Sequence, residues 1–338
     1  MKHRRNTSRA GAAVVTLLVA AACSDLNRTP TEPRMSPNPE SPSLSRAPDG
    51  MEVLREARIH PTVGNAQRAR PTRPHRSNNL SYHGGVGGIG VETAPRVYVV
   101  FWGSQWSNDP SGEATLVQNF LNGVGGSSWL NSVTQYCQSV SSGTVYCNGA
   151  GTAAGNPGGI LVGVWFDNGG AAPSQPSQSN LASEAVNAAA HFGNTTSSSN
   201  ASAQYVIATA HGNNSSGFGT QYCAYHSSVS SSYGNVAWTN LPYITDAGAS
   251  CGANFNGLGP NAGITIVEGH ELAETITDQF PNGGWLDGSG AENGDKCAWI
   301  SSGQGASANT TLSTGTFPVQ SLWSNAFNSG SGGCVLSY

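Results

Sequence analysis

The chain has 338 residues, a formal net charge of −4, 44 glycines and only 10% charged side chains. That charge is unevenly spread: residues 77–338 hold two cations, Arg96 and Lys296, against 13 acids, which argues against nucleic acid as a partner. With lysine at positions 2 and 296 only, the chain has no Gly-Lys-Ser phosphate loop.

Residues 1–22 read as an export signal. Lys2, Arg4, Arg5 and Arg9 form a basic start, and Ala10 to Ala22 is apolar or small apart from Thr16. That core is too short to persist as a spanning helix. It ends in Val19-Ala20-Ala21-Ala22-Cys23, which resembles a bacterial lipoprotein cleavage box and makes Cys23 the lipidated residue. Six cysteines then remain, an even set suited to an oxidising compartment. Nearest-neighbour pairing is the simplest connectivity: Cys137 with Cys147, Cys223 with Cys251, Cys297 with Cys334. No Cys-x-x-Cys pair suggests a zinc ribbon.

Residues 23–76 read as a disordered linker. They hold nine of the 18 prolines and nine arginines, with little apolar periodicity, so they bury too little surface to fold alone. The segment reads first as a spacer from the membrane. Alternatively, this arginine-rich arm docks onto the acidic domain as a pro-segment, or lies on anionic lipid.

Residues 77–338 are long enough for one globular domain. Continuous apolar runs at 97–102, 160–166 and 205–210 are strands covered on both faces. Helical patterns at 113–121, 129–136 and 181–192 alternate with them. The fold class is therefore α/β, a single mixed-sheet domain with helices on both faces. A weaker strand at 236–244 is assigned to a sheet edge because of Pro242. The string from Gly85 to Gly90 matches a dinucleotide fingerprint as text, but it precedes its strand and is a loop.

The stretch Glu268-Gly-His-Glu-Leu-Ala-Glu-Thr-Ile-Thr-Asp278 carries the chemistry. On a helix, His270, Glu271, Glu274 and Asp278 fall within an arc of roughly 100°, with Leu272, Ala273 and Ile276 on the opposite side. An imidazole and a carboxylate at i and i+4 can chelate one divalent ion with Glu271 beside it. The composition predicts only about 0.03 such His-acid-x-x-acid strings by chance.

A catalytic ion needs a third protein ligand. Candidates are Asp278, Asp287, Glu292 and Asp295 downstream, with His211 and His226 upstream. Glu292 is the preferred one; Asp295 then orients a ligand such as His270, and Cys297 ties the loop down. Asp278 and His226 stand as alternative ligands. His83 is a weaker candidate, and Trp285 suits a wall of the cleft.

Several of these strings, in order, resemble the phosphate-induced protein (EXORDIUM-like) family, of which the chain looks like a bacterial member. They are Tyr82-His83-Gly84-Gly85 before the first strand, Tyr205 to Ala210 leading to Cys223 and His226, and Val236-Ala237-Trp238. They continue with His270-Glu271-Leu272-Ala273-Glu274 followed by Thr277-Asp278, and Glu292-x-Gly294-Asp295-x-Cys297. The resemblance implies an extracytoplasmic, disulfide-containing domain with a metal site.

The expected function is that of a lipid-anchored metal-dependent hydrolase, a zinc peptidase with a zincin-like metal helix. His270, Glu274 and Glu292 hold the ion, and Glu271 is the general base. Two carboxylate ligands leave calcium or manganese open. The alternative is a non-catalytic cell-surface protein with a structural metal that binds glycan or a protein partner. Glycoside hydrolysis by a pair such as Glu271 and Asp287 is a third reading. If the arginine-rich arm is a pro-segment, cleavage within residues 70–76 raises activity over the intact chain. Equal activity with and without residues 24–76 leaves it a spacer.

Overall fold

The computed structural model describes residues 57–69 and 79–338. The expected signal peptide, Cys23 and much of the expected linker lie outside the described residues. Among the described residues, no helix is long and apolar enough to cross a membrane.

One mixed sheet organises the domain. Its strands are β1 (Arg58–Pro61), β2 (Arg96–Trp102), β3 (Leu161–Asp167), β4 (Ala203–Thr209), β5 (Tyr222–Ser231) and β6 (Gly234–Leu241). The order across the sheet is β1-β5-β6-β4-β2-β3. β3, β2, β4 and β6 run parallel, whereas β5 is antiparallel to both β6 and β1.

The apolar run of β2 is split by the two-residue period of a strand. Val97, Val99 and Phe101 enter one core, shared with helices α2 (Glu113–Val124) and α4 (Ala262–Thr277). Tyr98 and Val100 enter the other, with Leu181, Ala185, Ala188 and Ala189 of α3 (Gln178–His191). A short helix α1 (Val63–Ala69) follows β1.

Local chemistry sets the helix ends. Ser177 caps α3, its Oγ accepting from Asn180 N while its own N–H donates to Asn180 Oδ1. At α2 the cap residue is Gly112, which offers no side chain, so Asp109 accepts from the backbone N–H of Glu113 and Ala114 instead. The stretch expected to be helical at 129–136 is a tighter 3-10 segment, Leu130–Gln135.

Three features differ from the sequence reading. β6 is an interior strand between β5 and β4, and it ends at Leu241, so Pro242 terminates pairing instead of marking an edge. β3, read as covered on both faces, is an outer strand with Val162 52% and Phe166 43% exposed. Most consequentially, residues 57–69 of the expected linker belong to the same compact unit as residues 79–338 and form β1 and α1.

The disulfides pair Cys137 with Cys147, Cys223 with Cys251, and Cys297 with Cys334, which suits an oxidising compartment.

Glu92 shows what burial costs away from any site. Its backbone bridges Ile276 O and Gly155 N, and its Oε2 accepts from Gln204 Nε2 at 2.8 Å. Burial raises its carboxyl to about 8, against the opposing pulls of Gln204 and Arg96. The unfolded chain therefore loses this proton near pH 4.5 and the folded chain near pH 8, so stability falls with rising pH across that window. Glu92→Gln removes this dependence. The variant is expected to gain on the wild type by up to about 1.4 kcal/mol per pH unit between pH 5 and 8, measured by denaturant unfolding.

Candidate metal centre

Helix α4 has all sixteen of its residues buried, so its chemical face turns into protein and not into solvent. Ile264, Ile266, Val267, Leu272, Ala273 and Ile276 pack into the core. Gly269 lies against Trp129, where a Cβ would come within 3.0 Å of the indole. On the remaining face His270, Glu271 and Glu274 are each 0% exposed.

Two further elements converge on them. β5 contributes His226, and the loop from Asp287 to Cys297 contributes Glu292 and Asp295. That loop is held by the Cys297–Cys334 disulfide, by the Lys296–Asp287 ion pair at 2.8 Å, and by Asn293 Nδ2 donating to Ala273 O and Thr277 Oγ1. Gly294 makes the approach possible: a Cβ there would lie 2.7 Å from His270 Nδ1 and 2.9 Å from Glu274 Oε1.

The result is two donor sets that share Glu274. His270 Nε2 lies 3.0 Å from Glu274 Oε1 and 3.8 Å from Asp295 Oδ1. His226 Nε2 lies 3.1 Å from Glu292 Oε2 and 3.8 Å from Glu274 Oε2. Within each set, one ligand atom from each residue lies within 4.8 Å of the others. Backbone N–H groups orient two of the carboxylates: Asp295 N donates to Glu274 Oε1, and Glu292 N to Asp295 Oδ2.

Gln320 fixes the His270 ring. Its Nε2 donates to Gly294 O and Ser321 O, so its Oε1 must accept from His270 Nδ1 at 3.2 Å and from His60 Nε2 at 3.1 Å. Neutral His270 therefore presents the lone pair of Nε2 to carboxylate oxygens, acceptor facing acceptor. Glu274 Oε2, Glu292 Oε1 and both Glu271 oxygens are also buried without a hydrogen-bond partner among the described residues. A shared cation satisfies such a set, so the residues fit a divalent ion.

The electrostatics agree. Desolvation pushes the Glu271, Glu274 and Glu292 carboxyls well above their usual range, and their mutual repulsion adds to it. Burial lowers His60, His270 and His226, the last to about 4. Arg58 partly relieves the carboxylates, with its Nε 3.8 Å from Glu292 Oε2.

Of the expected residues, His270, Glu274, Glu292, Asp295 and His226 are brought together around Glu271. Asp278 is otherwise engaged, its carboxylate accepting from the backbone N–H of Asn282, Gly283 and Gly284 in the turn after α4. Asp287 holds Lys296, Ser289 and Ala291, so it is engaged away from Glu271 and does not form the pair expected of a glycosidase. His211 pairs with Asp246, and His83 is exposed. Trp285 is fully buried against Tyr82 and Tyr136, a core residue and not a cleft wall. Gly248-Ala249-Ser250-Cys251-Gly252 fits a serine-hydrolase elbow as text, yet it runs through the end of a 3-10 segment tied by Cys251 to Cys223, not a strand-to-helix turn.

Arg58, His60 and Gln320 escaped the sequence reading. The first two sit in a proline- and arginine-rich stretch whose composition masks the alternation Arg58-Ile59-His60. For Gln320 no sequence signal existed.

No family model, curated protein or solved structure matches the chain.

Two substitutions separate ligands from scaffold. His226→Ala is expected to weaken zinc or manganese binding tenfold or more, by titration of the full-length protein. Asp278→Asn is expected to keep wild-type metal stoichiometry while costing about 1–3 kcal/mol in unfolding experiments.

Proposed function

We propose that the chain is an exported metal-dependent hydrolase acting on peptides. One observation carries the reading: two imidazoles and three carboxylates from three separate elements converge, with the unpartnered Nε2 of His270 facing Glu274 and with Glu274 Oε2, Glu292 Oε1 and both Glu271 oxygens buried without a partner. In this reading His270, Glu274 and Asp295, with His226 and Glu292, would hold the ion. A zincin-like role for α4 rests on the His270-Glu271-x-x-Glu274 spacing. The mixture of imidazole and carboxylate donors suits zinc or manganese better than calcium, whose sites are built of oxygen alone.

A divalent ion bound there supplies Lewis acidity toward a carbonyl oxygen and an acidified water. Glu271 then has the proton-handling role. Its carboxylate accepts the proton lost by the water and returns it to the departing amine nitrogen, and the lack of competing hydrogen bonds leaves both oxygens free to do so. Gln320 keeps the His270 ring in the tautomer with Nε2 available. Export, lipidation at Cys23 and membership of the EXORDIUM-like family belong to the same proposal, supported by the order of motifs and the disulfides.

The burial of His226, His270, Glu274 and Glu292, with Asp295 alone partly exposed, favours a second reading, a structural ion in a non-catalytic cell-surface protein that binds glycan or a protein partner. Glu271→Gln distinguishes them. Under the hydrolase reading the variant keeps its metal and loses cleavage of a denatured protein pool by roughly a hundredfold or more. No cleavage by the wild type, with or without residues 24–76 and with zinc, manganese or calcium supplied, leaves the structural reading.

A further inference from the structure

The donors are covered by the chain's own β1, and β1 lies on β5 as an extended peptide would. It pairs antiparallel, Arg58 opposite His226, Ile59 opposite Tyr225 and His60 opposite Ala224. The alternation of a strand sends Arg58 and His60 toward the centre and leaves Ile59 39% exposed on the other face.

Both inward side chains are received by groups of the candidate centre or its rim. The Arg58 guanidinium donates to Gly290 O at 2.7 Å and to Asn282 Oδ1, with its Nε 3.8 Å from Glu292 Oε2. The His60 ring is fully buried, 4.0 Å from the His270 ring and 4.8 Å from Trp299, with its Nε2 on Gln320 Oε1. Pro61 O accepts from Trp299 Nε1 at 2.7 Å, and Asn65 Nδ2 donates to Thr220 O and Gln221 O. Without residues 57–69, β5 would present an open sheet edge beside an acidic, metal-ligating cleft.

We propose that the outer edge of β5 is a binding site for extended basic peptides, and that residues 58–61 are its tethered occupant, holding the site closed until the chain is cut between residues 69 and 79. Main-chain pairing to an exposed edge provides affinity that does not depend on sequence, and the inward pockets provide selection. The Arg58 pocket ends on a carboxylate and a carbonyl, so it takes a guanidinium. The His60 pocket is bounded by two aromatic rings and an amide, so it takes a flat ring two positions further on. Domain charge favours such ligands, since residues 77–338 are strongly acidic. Within the connecting stretch Arg70 and Arg73 each precede a proline, whereas Arg76 precedes Ser77, so the Arg76–Ser77 bond is the one suited to an arginine-specific protease. The link between release and activity rests on the hydrolase reading; the peptide site itself does not.

The test uses the full chain with a specific protease site inserted between Arg73 and Pro74, cut after folding. A fluorescein-labelled peptide with the sequence of residues 57–69 is added and its anisotropy followed, and near-ultraviolet circular dichroism checks the fold. The cut protein is expected to bind the peptide and the uncut protein not to. A peptide carrying Arg58→Ala should bind at least tenfold more weakly, and a scrambled peptide should not compete. In the uncut chain, Arg58→Ala with His60→Ala should speed removal of bound zinc by a chelator tenfold or more. The proposal falls if the cut segment cannot be exchanged by excess peptide, if its release unfolds the domain, or if binding is indifferent to Arg58. Peptide binding without hydrolysis would sink the hydrolase reading and leave this site standing; hydrolysis after the cut without peptide binding would do the reverse.

Discussion

Carboxylates taken out of water need a countercharge, and the structure of this protein turns on that constraint. Glu271, Glu274 and Glu292 are each 0% exposed around one point, and burial together with repulsion drives their carboxyls upward. Moving one such group into an apolar interior costs several kcal/mol unless it is paired or protonated. A fold with no use for the cluster would keep it protonated or lose it. This one orients one oxygen of Glu274 through Asp295 N and one of Glu292 through His226, and leaves the others unpartnered. Arg58 supplies part of the countercharge, and a divalent ion would supply more.

The surroundings hold the geometry against that repulsion. His226, His270 with Glu274, and Glu292 with Asp295 come from a strand, a helix and a loop, none of which would stay together by hydrophobic packing of these side chains. The loop is tied by the Cys297–Cys334 bond and by Lys296 on Asp287, and the start of β5 by Cys223 bonded to Cys251. Gly294 allows backbone to approach two donors at a distance that no side chain would permit. Trp129, whose indole N–H donates to Gln320 O, and Trp299, beside His60, are buried in this region, so the scaffold is stiff where donor positions matter.

What could be read from sequence follows the physics of each signal. Continuous apolar runs marked β2 and β4 because parallel central strands are apolar on both faces; β3 carries a similar run at the sheet's outer position, so the run alone overstates its burial. β5 was missed: Ser227-Ser228-Val229-Ser230-Ser231 has no such run, and its pairing with β6 is established only in the fold. The His270-Glu271-x-x-Glu274 spacing brought His270 and Glu274 together on paper because i and i+4 side chains share a face, and the two lie 3.0 Å apart in the fold. Its partners were harder to find, since long-range convergence leaves no local period. Glu292 was reached through its loop, whereas His226 ranked low because β5 itself was not recognised. Gln320 takes part only through tertiary contact, and a lone glutamine carries no signal.

The arginine-rich arm shows why average composition and local pattern must be weighed separately. Over residues 23–76, proline and charge argue against a core, and residues 57–69 build none of their own. They borrow one, laying a four-residue strand on an existing edge and placing Arg58 beside Glu292 and His60 between the rings of His270 and Trp299. The entropy of ordering so short a segment is offset by main-chain pairing, by burial of His60 against Trp299, and by the guanidinium on Gly290 and Asn282. None of these contributions is intrinsic to the arm. Whether such a segment is ordered therefore depends on the surface that receives it, and here that surface is the sheet edge beside the buried carboxylates that Arg58 relieves.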